Sequence, residues 1–318
     1  MEIFVVSDVG GTQIRVAAYN ILDLTMCSQK KIATQVLKQN PTDRLIHLID
    51  EISKGHTIKA ISIGVPGLIN PKEGIIIEAP NVPGWINLPI KELLVSHFNV
   101  PVFLGNDANL AALGEWKFGA GIGHNNLLYL TISTGIGSGV IIDGQLLVGE
   151  QGLAAEFGHV TILPDGPLCG CGHRGHIEAL SSGTAISNYV KVELSNGRNS
   201  SLQGIEFPTS KEIYTAARNG DELAIEAFER AGKYLGIALA NFLHILNPSI
   251  VIFGGGVTQA GPLLFKHMLD SLQRSIFAES YLENIVITTA KLGDDVGLKG
   301  ALALLLSNYQ LSENSSPT

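Results

Sequence analysis

Apolar residues along this chain fall into short β-branched runs that end in glycine, separated by stretches where they recur every three or four positions. The first run, IFVVSDVGGTQIRVAAYN, is apolar on both sides of Gly10-Gly11, which predicts two strands joined by a tight hairpin. More than a hundred residues later LLYLTISTGIGSGVIIDGQ repeats the plan of strand, Thr/Gly loop and strand, which points to an internal duplication. Between them, apolar positions 45, 46, 48, 49 and 52 predict an amphipathic helix over Thr42–Lys54, stopped at Gly55. KAISIGVPG and PVFLGND read as buried strands ending in polar loops, and helical spacing resumes over Ala108–Trp116. In the second half, a long helical pattern over Asp221–Leu246 stops before Asn247-Pro248, and SIVIFGGG follows as a buried strand. NIVITTA and a last helix over Leu298–Leu306 complete an alternating α/β chain, and the tail SNYQLSENSSPT is expected to be loose.

Composition narrows the function. The 318 residues are 45% apolar, enough for a large core in one or two domains. With 21 basic against 29 acidic residues the net charge is −8, and no basic run exceeds Lys30-Lys31, so nucleic acid is not an expected partner. MEIFVVSD lacks the positive charge of an export signal, and the longest apolar region, Tyr234–Val257, is broken by Asn241, His244, Asn247 and Pro248, so no membrane span is expected. Three cysteines, one of them remote, make no disulfide framework. A cytoplasmic protein is expected.

Three glycine loops follow apolar strands, and backbone amides brought together in this way commonly receive phosphate. Tight hairpins alone would explain any single loop. Neither a G-x-x-x-x-G-K-[ST] loop nor a strand-to-helix G-x-G-x-x-G is present, since Gly135, Gly137 and Gly139 lead into another strand. In the first loop, Asp8 stands beside Gly10, Gly11 and Thr12, a grouping suited to a hydrated Mg²⁺ with a nucleotide. Asp107 follows Asn106 where a strand meets a helix. There it can cap the helix, act as a base toward a substrate hydroxyl, or do both.

The densest chemistry is in HVTILPDGPLCGCGHRGHIE. His159, Cys169, Cys171 and His176 form H-x₉-C-x-C-x₄-H, a donor mix that tetrahedral zinc selects; four filled positions make the ion structural. His173 could replace His176. Glu156 and Glu178 flank this clip and are candidates to grip sugar hydroxyls, although each alone reads as a solvated loop carboxylate.

These stretches, with GVPG at 64–67, NVPGW at 81–85, GND at 105–107, SSGTAI at 181–186, FGGGV at 253–257 and GDDVGLKGA at 293–301, resemble the ROK family of repressors, open reading frames and kinases, and within it the glucokinase-like sugar kinases. The resemblance spans nearly the whole chain. It implies an actin-like, duplicated ribonuclease-H-type fold with a small domain (1–112 plus 299–318), a large domain carrying the zinc loop (113–298), and a cleft for ATP-Mg and sugar. It implies Asp107 as the base on the 6-hydroxyl of a hexose, with Gly67, Asn81, Asn106, Glu156, His159 and Glu178 contacting the sugar. Residues 8–15, with Thr134, Gly135 and Gly137, would hold phosphates, and Gly254, Gly255 and Gly256 would lie near the adenosine. His159 would serve zinc and sugar together, and a homodimer or homotetramer would be the assembly.

Two positions depart from the family pattern. His176 stands where relatives often have a third cysteine, and Ser133 where the phosphate loop often has glycine. Glucose is the expected substrate. An N-acetylglucosamine or N-acetylmannosamine kinase, a broader hexokinase or fructokinase, and a non-catalytic sugar sensor are the alternatives. A repressor would need a DNA-binding motif ahead of the hairpin that opens at Ile3, and is not expected.

Overall fold

The computed structural model describes residues 1–37 and 39–314, with side chains as far as residue 309. Along the chain the first elements are β1 (Glu2–Val9), β2 (Gln13–Asn20), β3 (Met26–Ala33), α1 (Pro41–Ile52), β4 (Thr57–Val65), β5 (Leu68–Asn70), β6 (Ile75–Glu78), β7 (Ile86–Leu88), α2 (Ile90–Phe98), β8 (Val102–Asn106) and α3 (Asp107–Phe118). There follow β9 (Leu127–Ile132), β10 (Ile136–Ile142), β11 (Gln145–Leu146), α4 (Glu178–Ser181), α5 (Gly183–Ser195), α6 (Ser210–Arg218), α7 (Glu222–Leu246), β12 (Ile250–Gly254), α8 (Pro262–Ser275), β13 (Val286–Thr289) and α9 (Val296–Asn314). Two compact units result. Unit 1 comprises Met1–Gly123, Gly139–Ala155 and the chain from Ala290; unit 2 comprises His124–Ser138 and Glu156–Thr289.

Two five-stranded sheets have the orders β3-β2-β1-β4-β8 and β11-β10-β9-β12-β13. In the first, β2 is antiparallel to β1 and β3, while β4 is parallel to β1 and β8. The second repeats the plan, with β10 antiparallel to β11 and β12 parallel to β9 and β13. A meander followed by two parallel crossovers in each sheet is the duplication that the two glycine hairpins announced. The third strand of the first meander, MCSQKKIA, is mostly exposed at the sheet edge, so its polarity hid it from a hydrophobic pattern. A further sheet, β5-β6-β7, consists of strands too short to carry a period.

In unit 1, Ile3, Val5, Ile14, Val16, Ile61 and Ile63 of the sheet are fully buried together with Leu45 and Ile49 of α1. Each such side chain stabilises the fold by roughly 1.5–3 kcal/mol relative to exposure. Asn40 caps α1 by accepting the Thr42 N–H at 2.8 Å, and Pro41 starts the helix where its missing N–H costs nothing.

Helix α3 is buried from Ala108 through Glu115 because the sheet and α9 both pack on it. A Cβ on Gly300 of α9 would lie 2.0 Å from the Leu110 carbonyl, so glycine there permits the close crossing. Helix α9 begins two residues before the expected Leu298 and runs past Leu306 to Asn314, correcting the expectation of a loose tail from residue 307. The reason is local. Ser307 Oγ and Asn308 Nδ2 donate to the carbonyls of Ala303 and Leu304 at 3.0 and 2.8 Å, so the polar side chains are satisfied on the helix itself. The last four residues of that tail lie outside the described ones.

In unit 2, α7 runs as expected to Leu246, but Asp221 is its cap and Glu222 its first residue. Asn247 closes it in the left-handed conformation, φ 43°. No helix among the described residues is long and apolar enough to cross a membrane.

Candidate active site

The loop between β1 and β2 is held by backbone bonds: Gly10 N–H donates to the Gln13 carbonyl at 2.8 Å, and Thr34 closes the far side through its hydroxyl to Gly10 O and its N–H to Thr12 O. Gly11 packs against Asn81, where a Cβ would be 2.7 Å from the Asn81 Cβ, and Gln35 Nε2 donates to the carbonyls of both. Asp8 is already paired. Arg15 Nε donates to Asp8 Oδ2 at 3.1 Å, Nη2 bonds the same oxygen, and Nη1 reaches the Asp294 carbonyl. Gly297 lies against this carboxylate, 2.5 Å from Oδ2 to where its Cβ would be. The guanidinium thus already balances the carboxylate that the sequence offers to magnesium.

Asn106 and Asp107 stand at the joint of β8 and α3. The helix cap is Asn106, whose Oδ1 accepts the N–H groups of Ala108 and Asn109 at 2.9 and 3.3 Å; this assigns the capping role that the sequence left open between function and structure for Asp107. Asp107 is the first helical residue, exposed, with Oδ1 also 2.8 Å from the Ala108 N–H. Asn106 Nδ2 donates to Gly67 O at 3.0 Å. Gly67 has φ 88° and no room for a Cβ, which would fall 2.2 Å from the Glu78 carbonyl. Unit 1 therefore joins Gly67 to Asn106, and Gly11 to Asn81. At the other end of α3, the fully buried Glu115 accepts N–H groups from Ala120, Lys291 and Leu292 at 2.7–2.9 Å.

In unit 2 a pocket of about 320 Å³ is lined by Ser133, Thr134, Thr184, Ser187, Ser210 and Gly256, among others. It brings two of the three glycine loops to the N-terminus of α5. The loops are tied there: Gly183 N–H donates to Ser133 O at 2.8 Å, and Thr184 Oγ1 to Thr134 O at 2.8 Å. Gly255 adopts φ 87°, with a hypothetical Cβ 2.3 Å from Ile132 O. Hydroxyls beside a helix start suit phosphate and ribose, although the first amides of α5 are themselves engaged by Ser133 O, Thr134 O and Ser182 Oγ. Thr184 belongs to the SSGTAI stretch, whereas Ser187, Thr209 and Ser210 come from outside every motif of the sequence. Gly137 lies within β10, beyond the loop proper.

The His/Cys loop is a knuckle. Cys169 N–H donates to His173 O at 2.7 Å, Gly172 N–H returns to Cys169 O at 2.9 Å, and isolated bridges join Thr161 to His176 and Leu168 to Arg174. The donor atoms of His159, Cys169, Cys171 and His176 all lie within 4.8 Å of one another. Cys169 Sγ is 3.8 Å from His159 Nδ1, and Cys171 Sγ is 3.3 Å from His176 Nδ1. These two S···N separations are close to the edges of a tetrahedron with Zn–N and Zn–S lengths of about 2.0–2.3 Å. His176 belongs to this group of four; His173, 3.7 Å from Cys171 Sγ through Nδ1, stacks on His176. In the bare protein, burial pushes the Cys169 thiol up to about 11. The His173 backbone N–H draws the exposed Cys171 thiol down to about 7. Burial also lowers His176, with help from His159 and His173.

Glu178 opens α4 and links three features. Its Oε2 accepts the Ile136 N–H at 3.0 Å, its Oε1 is 3.4 Å from Cys169 Sγ, and a Cβ on Gly135 would strike Oε2 at 2.4 Å. Glu156 is exposed yet crowded. Partial desolvation raises its carboxyl above the usual range, outweighing the opposing attraction of His159, and Glu178 adds to the rise. The following Phe157 N–H donates to the buried Ser138 hydroxyl at 3.1 Å. His159 and Glu178 thus stand at the His/Cys knuckle and the start of β10, and the chain beside Glu156 is tied to the same strand through Phe157.

The model of the ROK family matches residues 5–308. A glucokinase of Thermotoga maritima is 37% identical over 284 residues, which cover 87% of this chain and 89% of that relative. A ROK hexokinase from Thermus thermophilus superposes with a TM-score of 0.83 at 33% identity, over 97% of this chain and 99% of that one. A ROK family glucokinase from Streptomyces griseus, solved with glucose and AMPPNP, gives a TM-score of 0.74 at 34% identity, over 94% and 97%. The α/β fold is the actin-like, duplicated ribonuclease-H-like one of these sugar kinases.

Proposed function

The chain belongs to the ROK family, and from that premise we propose that it is an ATP-dependent hexose kinase that phosphorylates the 6-hydroxyl, with glucose as its substrate. The observation that carries the reading is Asp107. Its exposed carboxylate stands at the first position of α3, beside the Asn106 cap, with Oδ1 turned back to the Ala108 N–H.

In this reading Asp107 accepts the proton of the 6-hydroxyl as that oxygen attacks the γ-phosphorus and the bond to the leaving ADP breaks. Bound ATP-Mg supplies the phosphoryl group and spreads its charge. Thr12 and the Gly11 amide would hold phosphate oxygens, as would Thr134 and Gly135, while Gly10, whose N–H is donated to the Gln13 carbonyl, shapes the turn; Asp8, balanced by Arg15, would meet the cation through water. The adenosine lies along Gly254–Gly256 and the hydroxyls of the small pocket in unit 2. Asn81, Asn106, Glu156, His159 and Glu178 bind sugar hydroxyls. His159, Cys169, Cys171 and His176 would hold a structural zinc, which would fix His159 and Glu178, since Glu178 touches Cys169 and His159 belongs to the same group of donors. A homodimer or homotetramer is the expected assembly.

A coupled ADP-release assay over glucose, mannose, fructose, N-acetylglucosamine and N-acetylmannosamine tests the substrate. Highest kcat/KM with glucose supports the reading, and a strong preference for an acetylated sugar overturns it.

A further inference from the structure

Unit 2 contains a second, larger pocket of about 800 Å³, within the range of roughly 300–1,000 Å³ usual for small-molecule sites. One wall is the knuckle segment around Leu168, another is the face of α5 bearing Ala185, Tyr189 and Val192, and Arg230 of α7 closes it. Leu168 and Val192 are 61% and 53% exposed, so the apolar walls open to solvent.

Arg230 is the unusual member. Its guanidinium is fixed between two rings, 4.9 Å from the Tyr189 centroid and 5.1 Å from that of Tyr234. Of its five N–H donors, the only one engaged among the described residues is on Nη1, a long 3.5 Å bond to the Leu180 carbonyl. No carboxylate pairs with it among the described residues, because those nearby are committed elsewhere. Glu193 pairs with Arg198 at 3.4 Å, Glu226 with Arg198 at 2.8 Å and with the Tyr189 hydroxyl, and Glu178 accepts the Ile136 N–H. An oriented cationic fork beside apolar walls is complementary to a planar anionic head on a hydrophobic body.

We propose that this pocket binds a small organic anion with an apolar body, its carboxylate, sulfonate or phosphate head on Arg230 and its body against Leu168, Ala185 and Val192. The pocket also contains Thr134, Gly135 and Glu178, so an occupant bears on groups that the kinase reading gives to phosphate and sugar. That consequence rests on the kinase reading; the binding itself does not.

The probe is 8-anilinonaphthalene-1-sulfonate, titrated by fluorescence and calorimetry into the full chain without sugar or nucleotide. One saturable site per chain is expected, weakened at least about tenfold by Arg230→Met, while the neutral dye Nile red binds both proteins alike. Val192→Glu, at an exposed position that leaves Arg230 untouched, is expected to abolish binding of the sulfonate by placing a negative charge on the apolar wall. Circular dichroism and melting temperature confirm that each variant is folded; should Arg230→Met fail to fold, Val192→Glu decides. Equal sulfonate affinity in wild type and Arg230→Met, or unaltered binding to Val192→Glu, overturns the proposal.

Discussion

The carboxylate of Glu178 accepts the backbone N–H of Ile136 at 3.0 Å, joining the end of the His/Cys knuckle to the loop that opens β10. The same oxygen occupies the space where residue 135 would carry a Cβ. Gly135→Ala is therefore expected to displace Glu178 and lower kcat/KM for glucose by roughly tenfold or more, mostly through KM. Calorimetric glucose titration checks it; unchanged affinity would show that Glu178 does not hold the sugar.

Zinc is expected at one ion per chain in protein purified without chelators. Cys169→Ser or Cys171→Ser should lose the metal and weaken glucose binding together, because His159 and Glu178 are held by the same knuckle. Elemental analysis with parallel calorimetry tests this, and metal-free wild type that binds glucose normally counts against the clip.

Glu115 should matter to stability far more than an ordinary helix carboxylate. It is fully buried, and its removal leaves the N–H groups of Ala120, Lys291 and Leu292 without their acceptor. Glu115→Ala is expected to destabilise unit 1 by about 3 kcal/mol or more, measured by denaturant unfolding. A change below about 1 kcal/mol would mean that water replaces the carboxylate.

Asp221 gives the fold an acid limit. Burial opposes its ionisation, but bonds from the Ala224 N–H, the Ser201 N–H and hydroxyl, and the Ser200 hydroxyl prevail and lower its pKa to about 2 from the usual 3.8. A depressed carboxyl stabilises the folded state above its unfolded pKa and loses that contribution as pH falls through the folded value. The window is thus pH 3.8 to about 2. Across it the contribution at stake is roughly 2 kcal/mol. Asp221→Ala should melt lower at neutral pH and converge with wild type near pH 2. Parallel melting curves at all pH values would contradict the assignment.

Much of this was legible in the sequence, for identifiable reasons. The two hairpins announce themselves because β-branched runs flank glycine, and the β8–α3 joint because polar Asn106 and Asp107 interrupt an apolar strand and a helical pattern. The polar edge strand β3 and the three-residue strands of the small sheet carry no such period. Partners distant in sequence are equally silent. Glu115 meets Lys291 across 176 residues, and Thr184, Ser187 and Ser210 gain meaning only when the fold sets them around Thr134 and Gly256. The pairing of Asp8 with Arg15 was within reach, since Asp8↔Arg15 is a cross-strand register pair of the predicted hairpin.

The most direct test is turnover by Asp107→Ala with glucose and ATP, read as ADP release, alongside calorimetric ATP binding. Wild type should yield glucose 6-phosphate, and the variant should lose about a hundredfold to ten-thousandfold in kcat while ATP affinity stays within about twofold. Turnover by Asp107→Ala within about tenfold of wild type would contradict the role of Asp107 as base.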